Sequence, residues 1–109
     1  MVRDLAPETA EMVARAAEAA EFLKKFAHPS RLMVLCALAE GERSVRDLEE
    51  ILGIRQPGLS QQLAELREAG LIAGRKESKH MIYQLADERV SALIEKMHAL
   101  FCAPESRND

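Results

Sequence analysis

The amino-acid sequence predicts a mainly α-helical domain with a small β-hairpin, in the order α-α-α-α-β-β-α. Three observations predict this class. Apolar residues recur at helical spacing through most of the chain, whereas residues 81–85 show the two-residue period of a strand. Glycines and prolines separate the helical segments at typical helix lengths. The 109 residues are enough for one domain with a substantial core, but few for an enzyme with a deep pocket.

The first predicted helix spans residues 7–26, and Pro7 and Glu8 are typical of its first turn. Its apolar stripe consists of Met12, Ala16, Ala19 or Ala20, and Leu23. We expect a partner subunit to cover this stripe; the alternative is packing on its own domain. A second helix begins near Pro29 and ends at Gly41. It is apolar nearly all round, which predicts a buried helix.

Residues 44–70 have the pattern of two short helices joined by a tight turn, a helix-turn-helix. Ser44 and Asp47 form a capping box that starts the first of them, and Gly53 ends it. Pro57 suits the first turn of the second helix, and Gly70 ends that helix. The inward faces are predicted to hold Val45, Leu48, Ile51 and Leu52 on the first helix and Leu59, Leu63 and Leu66 on the second.

The second of these helices has the composition of a DNA-recognition helix. Its outward face is predicted to carry short polar side chains that can donate and accept hydrogen bonds: Gln56, Ser60, Gln61 and Gln62. Glutamine suits the edges of bases, adenine above all, in a major groove that admits a helix. The ordinary alternative is a soluble pair of helices without a nucleic-acid partner.

Residues 71–85 are predicted to form a β-hairpin that turns at residues 77–79. Cationic side chains crowd its tip: Arg75, Lys76, Lys79 and His80. A basic hairpin directly after a recognition helix is the wing of a winged helix-turn-helix, where Arg75, Lys76 and Lys79 would contact phosphate. A solvated turn is the alternative. The net charge of −3 argues weakly against nucleic acid, but residues 55–80 hold five Arg or Lys and only three acidic residues.

The last predicted helix spans residues 87–102, with Asp87 as its cap. Its wide apolar face consists of Val90, Leu93, Ile94, Met97, Leu100 and Phe101. The first and last helices together predict a homodimer, because two recognition helices roughly 34 Å apart read the half-sites of a palindrome. No apolar run is long enough to span a membrane, and the N-terminus lacks the apolar core of a signal peptide, so we expect a cytoplasmic protein.

Three segments, FLKKFAHPSRLMVLCAL, DLEEILGIRQPGLSQQLAELREAGLI and GRKESKHMIYQL, resemble the ArsR-type (ArsR/SmtB) family of bacterial winged-helix repressors. The resemblance covers nearly the whole chain. It implies that a single domain over residues 1–109 forms a homodimer through its first and last helices. It also implies binding to double-stranded operator DNA and release of that DNA by an inducer.

The resemblance also bears on the inducer. Arsenite sensors of this family carry two cysteines where this chain has Ser44 and Arg46, and zinc or nickel sensors carry a histidine where it has Arg89. Cys36 and Cys102 remain, and a pair in these two helices resembles the branch that senses sulfane sulfur, the BigR/SqrR type. There persulfides or polysulfides bridge the pair.

The thiol chemistry is plausible because a thiolate attacks sulfane sulfur. The C-terminal end of a helix disfavours a thiolate at Cys102, and a protonated His98, one turn earlier, could offset this effect. Each cysteine alone could instead be inert, Cys36 as a small core residue. A rival set of Cys36, His98, Cys102 and a fourth ligand such as His28 could hold Zn²⁺ or Cu(I), although we expect no metal or other cofactor.

Two other functions remain possible from the sequence. A thiol enzyme, such as a peroxidase or sulfurtransferase, would use either cysteine as nucleophile, but no orienting triad, phosphate loop or carboxylate pair supports it. An adaptor would use the winged helix to bind another protein. The sequence favours a transcriptional repressor that is not an enzyme.

Overall fold

The structure is a computed structural model that describes residues 4–102. The ends of the predicted domain, residues 1–3 and 103–109, lie outside the described residues. The described part contains six helices and one three-stranded antiparallel sheet. The elements are α1 (Pro7–Ala14), α2 (Ala16–Lys24), α3 (Pro29–Ala39), β1 (Arg43–Ser44), α4 (Val45–Leu52), α5 (Gly58–Glu68), β2 (Ile72–Glu77), β3 (His80–Leu85) and α6 (Glu88–Phe101). The predicted class, mainly α-helical with a β-hairpin, is confirmed.

The first predicted helix is broken at Arg15. The backbone there leaves the helical region, with φ −108° and ψ 14°, so that α1 and α2 replace a single helix over residues 7–26. Alanine and arginine are strong helix formers, and no glycine or proline marks this position, so local propensity predicted no break. No residue of α1 or α2 is buried in the protomer.

A short strand, β1, was not predicted and joins the hairpin to the helix-turn-helix. It pairs with β3, Arg43 opposite Tyr83 and Ser44 opposite Ile82, which gives the sheet order β1-β3-β2. Ser44 also caps α4. Its Oγ accepts a hydrogen bond from the Asp47 N–H at 3.0 Å, and Asp47 Oδ2 accepts one from the Ser44 N–H at 3.1 Å. The predicted capping box is confirmed.

The core lies where α3 packs against α4, α5, α6 and β3. The leucine stripe of α5 is fully buried, as predicted, whereas on α4 only Leu48 is buried and Ile51 is 53% exposed. The buried residues of the core are Phe26, Val34, Leu35, Ala37, Leu38, Leu48, Leu59, Leu63, Leu66, Leu71, Ile72, Tyr83 and Val90.

The prediction that the second helix of the sequence, now α3, is buried all round is wrong. One face is buried, but Met33, Cys36 and Ala39 on the other are exposed. Four elements pack against α3, but within residues 4–102 they leave these three side chains exposed. No helix in this range is long and apolar enough to cross a membrane.

Candidate DNA-binding face and thiol groove

Helix α5, the predicted recognition helix, turns its leucines inward and exposes Ser60 and Gln61. Gln56 is exposed in the turn before this helix, where its Oε1 accepts a hydrogen bond from the Ser60 N–H at 3.0 Å. That bond satisfies one of the free N–H groups at the start of α5. Gln56 therefore caps the helix as well as standing near its exposed face.

Gln62 does not share that exposed face. It is half-buried, and its Oε1 is shielded from solvent without a hydrogen-bond donor in the part of the chain that the structure describes. The reason is its helical position, because Gln62 lies three residues after Leu59 and one before Leu63, at the flank of the buried stripe. The predicted placement of Gln62 on the outward face is wrong.

The predicted wing exists as the β2–β3 hairpin, and its three cations differ in their surroundings. The Arg75 guanidinium donates hydrogen bonds to both carboxylate oxygens of Glu42, at 2.8 and 3.0 Å, and one to Glu77 at 3.2 Å. The hydrogen bonds from Arg75 lower the pKa of Glu42 and those carboxylates raise the pKa of Arg75. Lys76 and Lys79 are exposed and make no ion pair within residues 4–102. Lys76 and Lys79 are therefore the cations that can meet a phosphate without breaking an ion pair.

Cys36 and Cys102 line one groove of about 630 Å³ between α3 and the end of α6. Both cysteines are free and exposed, and His98 lines the same groove. The remaining lining residues are Leu32, Ala39, Glu40, Ile94, Glu95, Met97 and Phe101. The structure thus brings together the three residues that the sequence singled out for thiol chemistry.

The two thiols interact electrostatically. Burial raises the pKa of the Cys36 thiol, and the nearby Cys102 raises it further, because a second negative charge in the groove would repel the first. The pair therefore holds one thiolate more readily than two. Cys102 follows the last turn of α6, where its N–H donates to the His98 carbonyl at 2.9 Å. This bond fixes the Cys102 backbone one turn beyond His98.

Two features of this region were missed by the sequence reasoning. The first is that two acidic residues, Glu40 and Glu95, line the groove. Helical spacing could have revealed them, because Glu40 follows Cys36 by four residues and Glu95 precedes Cys102 by seven, which places each on the same helix face as a cysteine. Cys36 also borders a second groove, of about 370 Å³, between α3 and α4. That groove is lined in addition by Leu32, Met33, Ala37, Glu40, Arg43, Ile51 and Leu52.

Asp87 and Arg89 form a pair at the start of α6. Asp87 accepts a hydrogen bond from the Arg89 N–H at 2.9 Å and pairs with its guanidinium at 2.7 Å, which lowers the pKa of Asp87. The guanidinium also lies 4.4 Å from the centre of the Phe22 ring. Within residues 4–102 no three His, Cys, Asp or Glu side chains are grouped so as to hold a metal ion.

Comparison with known proteins assigns the family. The sequence pattern of the arsR family of bacterial regulatory proteins matches residues 28–73. The biofilm growth-associated repressor of Agrobacterium fabrum is 55% identical over 94 residues, which are 86% of this chain and 80% of that protein. The chain belongs to the ArsR family of bacterial regulatory proteins. Members of this family act on transcription, in agreement with the expectation that the protein is not an enzyme.

Solved structures of relatives agree with the fold of this ArsR-family protein. The crystal structure of the transcriptional repressor BigR from Xylella fastidiosa superposes with a TM-score of 0.84 at 44% identity, covering 88% of this chain and 98% of that one. A homodimeric winged helix-turn-helix DNA-binding domain from Mycobacterium bovis superposes with a TM-score of 0.65 at 26% identity, covering 90% and 88%. The winged helix-turn-helix fold is confirmed.

Proposed function

We propose that this ArsR-family protein is a homodimeric transcriptional repressor that leaves its operator DNA when reactive sulfur species bridge Cys36 and Cys102. The observation that carries the proposal is the position of both thiols in one groove between α3 and α6. The repressor relatives support the first half of the proposal, and the groove supports the second.

DNA binding uses α5 and the wing. Ser60 and Gln61 are exposed on the face of α5 opposite the core, where a helix in the major groove presents side chains to base edges. Gln56 lies just before the start of that helix. Gln62 is half-buried, so only the exposed part of its side chain can contact DNA. Lys76 and Lys79 neutralise phosphates, which adds affinity without sequence preference. Arg75 contributes only when it separates from Glu42.

Dimerisation uses the first helices and the last. Met12, Leu23, Leu100 and Phe101 are 52%, 51%, 73% and 75% exposed in the protomer, although they are large apolar side chains. Apolar surface of this kind, concentrated at two chain ends, is typical of an interface. The homodimeric neighbour supports this arrangement, and a two-fold axis would present both recognition helices to one palindrome.

The bridge forms in two displacement steps on a polysulfide R–S–S–S–R. The Cys102 thiolate attacks the central sulfur, an S–S bond breaks, and one R–S⁻ leaves and takes up a proton. Cys36 then loses its proton to solvent and attacks the same transferred sulfur, which expels the second R–S⁻. The products are Cys36–S–S–S–Cys102 with one added sulfur atom and two R–SH, so that the cysteines lose the two electrons that the carrier gains. Cys36 is the second nucleophile because its pKa is raised.

A covalent link between α3 and α6 changes the dimer because α6 belongs to the interface and α3 to the core of the DNA-reading domain. Moving a population from almost fully DNA-competent to almost fully released needs about 5.5 kcal/mol of difference between the two states. A covalent bridge can supply this difference, and His98, which lines the groove, can assist by stabilising the first thiolate.

The test compares Cys36→Ser and Cys102→Ser with the unmodified protein. All three should bind operator DNA when reduced, but only the unmodified protein should leave it on addition of dipropyl trisulfide. Ala39→Ser, which adds a hydroxyl to the same groove without removing a thiol, should respond like the unmodified protein. Intact-mass spectra should show an intramolecular link with added sulfur, and peroxide alone should give loss of two hydrogens only if the two sulfurs reach disulfide distance.

Release of Cys36→Ser from DNA by dipropyl trisulfide would contradict the two-thiol mechanism. A monomeric protein in sedimentation at micromolar concentration would contradict the dimer.

A further inference from the structure

The thiol groove has two chemical properties that a reaction between two cysteines does not itself require. Its lining includes the large apolar residues Leu32, Ile94, Met97 and Phe101. Its charged residues are the carboxylates Glu40 and Glu95, both of which are exposed. These properties bear on the part of the reagent that does not react, the carrier group R.

We propose that the groove selects neutral polysulfides with apolar carrier groups and discriminates against polysulfides whose carrier is anionic. This inference rests on the proposed reaction of Cys36 and Cys102. It adds the chemical class of the inducer, a dialkyl trisulfide or longer organic polysulfide, to a mechanism that would otherwise accept any donor of sulfane sulfur.

The apolar selection follows from the size and lining of the groove. A volume of about 630 Å³ is far more than a transferred sulfur atom needs, and falls within the range of small-molecule sites. An alkyl chain that enters beside the thiols exchanges water for contact with Leu32, Ile94 and Met97. The rate should therefore rise with chain length, by up to about fourfold for each methylene buried.

The exclusion of anions follows from the charges around the thiols. Glu95 makes no ion pair within residues 4–102, whereas Glu40 pairs with Arg43 at 2.8 Å. Among the lining residues within that range there is no lysine or arginine, so the groove itself holds no permanent positive charge to offset these carboxylates. The attacking thiolate adds a further negative charge, so an anionic carrier meets repulsion throughout its approach.

The experiment uses two trisulfides of nearly equal shape. Dipropyl trisulfide is neutral, and bis(2-carboxyethyl) trisulfide replaces each terminal methyl by a carboxylate. The rate of formation of the Cys36–Cys102 bridge is followed by intact-mass spectrometry of the full chain. Each rate is divided by the rate of the same reagent with a small neutral thiol, which removes the intrinsic difference between the reagents.

The normalised rate should be about tenfold higher for dipropyl than for bis(2-carboxyethyl) trisulfide, and lower for dimethyl than for dipropyl trisulfide. Glu95→Gln should reduce the preference for the neutral reagent by about two- to fivefold, the effect of one partly screened charge interaction. Glu88→Gln is the matched control, because it removes the same charge from the same helix at an exposed position outside the groove. It should leave the preference unchanged.

Equal normalised rates with both reagents, each forming the bridge, would overturn the selectivity and leave the thiol switch standing. An equal effect of Glu88→Gln and Glu95→Gln would also overturn it, because the discrimination would then come from the overall charge. Failure of both reagents to add sulfur to the cysteine pair would overturn the proposed switch together with this inference.

Discussion

Two parts of the protein are packed differently. The DNA-reading part is the one that we propose to contact DNA, α4, α5 and the β2–β3 wing, and the terminal part is α1, α2 and α6. In α5 every leucine of the apolar stripe is buried, whereas α1 and α2 contain no buried residue and α6 buries only Val90. Within the DNA-reading part, α5 thus buries its apolar stripe in the protomer, whereas α4 buries only Leu48. The terminal part leaves comparable apolar side chains exposed.

This difference in packing indicates where a structural change would cost little folding free energy. A change in the DNA-reading part would disturb a filled core, in which each lost contact is expensive. A change at the terminal part alters apolar side chains that are exposed in the protomer and that we propose to form the dimer interface. The thiol groove lies at the boundary, because Cys36 belongs to α3 and Cys102 follows α6.

A pair of leucine substitutions tests the comparison directly. Leu63→Ala should lower the free energy of unfolding by about 2–5 kcal/mol, because it empties part of a filled core. Leu23→Ala changes a side chain that is 51% exposed in the protomer, so it should lower the free energy of unfolding by much less than Leu63→Ala does. Chemical denaturation at low protein concentration measures both. Equal losses would show that the two parts are packed alike.

A charge at the exposed end of α6 should separate the subunits. Leu100→Glu places a carboxylate on the apolar interface twice in a symmetric dimer, and we expect dissociation to be favoured by about a hundredfold, or ~3 kcal/mol. Ser91→Glu adds the same charge at a polar, exposed position of the same helix and is the control. Sedimentation measures the dissociation constant. An unchanged constant for Leu100→Glu would remove this surface from the interface.

Base reading by α5 should show in sequence preference. Gln61→Ala should reduce the preference for the operator over unrelated DNA by about 1–3 kcal/mol if the side chain bonds a base edge. Gln84→Ala, an exposed glutamine on β3, is the control. Competition binding with both duplexes measures the preference. If Gln61→Ala leaves affinity for every duplex unchanged, the assignment of α5 to the groove is wrong.

The wing should respond in opposite directions to two substitutions. Lys76→Ala should lower the affinity for all duplexes alike. It should also reduce the slope of the logarithm of affinity against the logarithm of salt concentration by about one unit. Glu42→Gln removes the ion-pair partner that holds Arg75 at 2.8 Å, so that the guanidinium can meet a phosphate and the slope should become steeper. Binding across a salt series measures both. A shallower slope for Glu42→Gln would show that the Arg75–Glu42 pair positions the wing on DNA.

The smallest effect concerns pH and the cap of α4. Hydrogen bonds from the Ser44 backbone and side chain lower the pKa of Asp47 below its ordinary value of 3.8. A carboxyl whose pKa is lower in the folded state stabilises the fold fully above its unfolded pKa, and that stability is lost as the pH falls through its folded pKa. Asp47→Asn should therefore be less stable than the unmodified protein at pH 7, with the difference disappearing in acid. Thermal unfolding between pH 7 and pH 2 measures it.

The order of elements could be predicted from periodicity, caps and turn residues, but the break at Arg15 could not. Its neighbours all favour helix, so the break is not encoded in local propensity. Strand β1 was missed because two residues have no period. Cys36 was expected in a buried helix because an apolar sequence does not tell a face packed on the domain from a face left for a groove or a subunit.

The candidate site was predictable to a different degree for each of its parts. The polar residues of α5 and the cations of the wing follow from spacing, although spacing placed Gln62 on the wrong side. The proximity of Cys36 and Cys102, which are far apart in sequence, came from the resemblance to a family. The acidic residues Glu40 and Glu95 needed the structure, because the groove exists only when α3 and α6 pack together.

Strand β1 limits how far the wing can move relative to the helix-turn-helix and α3. Ser44 takes part in two structures. It pairs with Ile82 in the sheet, and it caps α4 through its hydrogen bonds with Asp47. The neighbouring Arg43 bonds the Ala37 carbonyl and Glu40 at the end of α3. The wing, the helix-turn-helix and α3 are therefore connected at one place, and movement of the wing alone would break these hydrogen bonds. If a bridge between Cys36 and Cys102 releases DNA as proposed, it would have to move the wing, the helix-turn-helix and α3 of a subunit together as one rigid body.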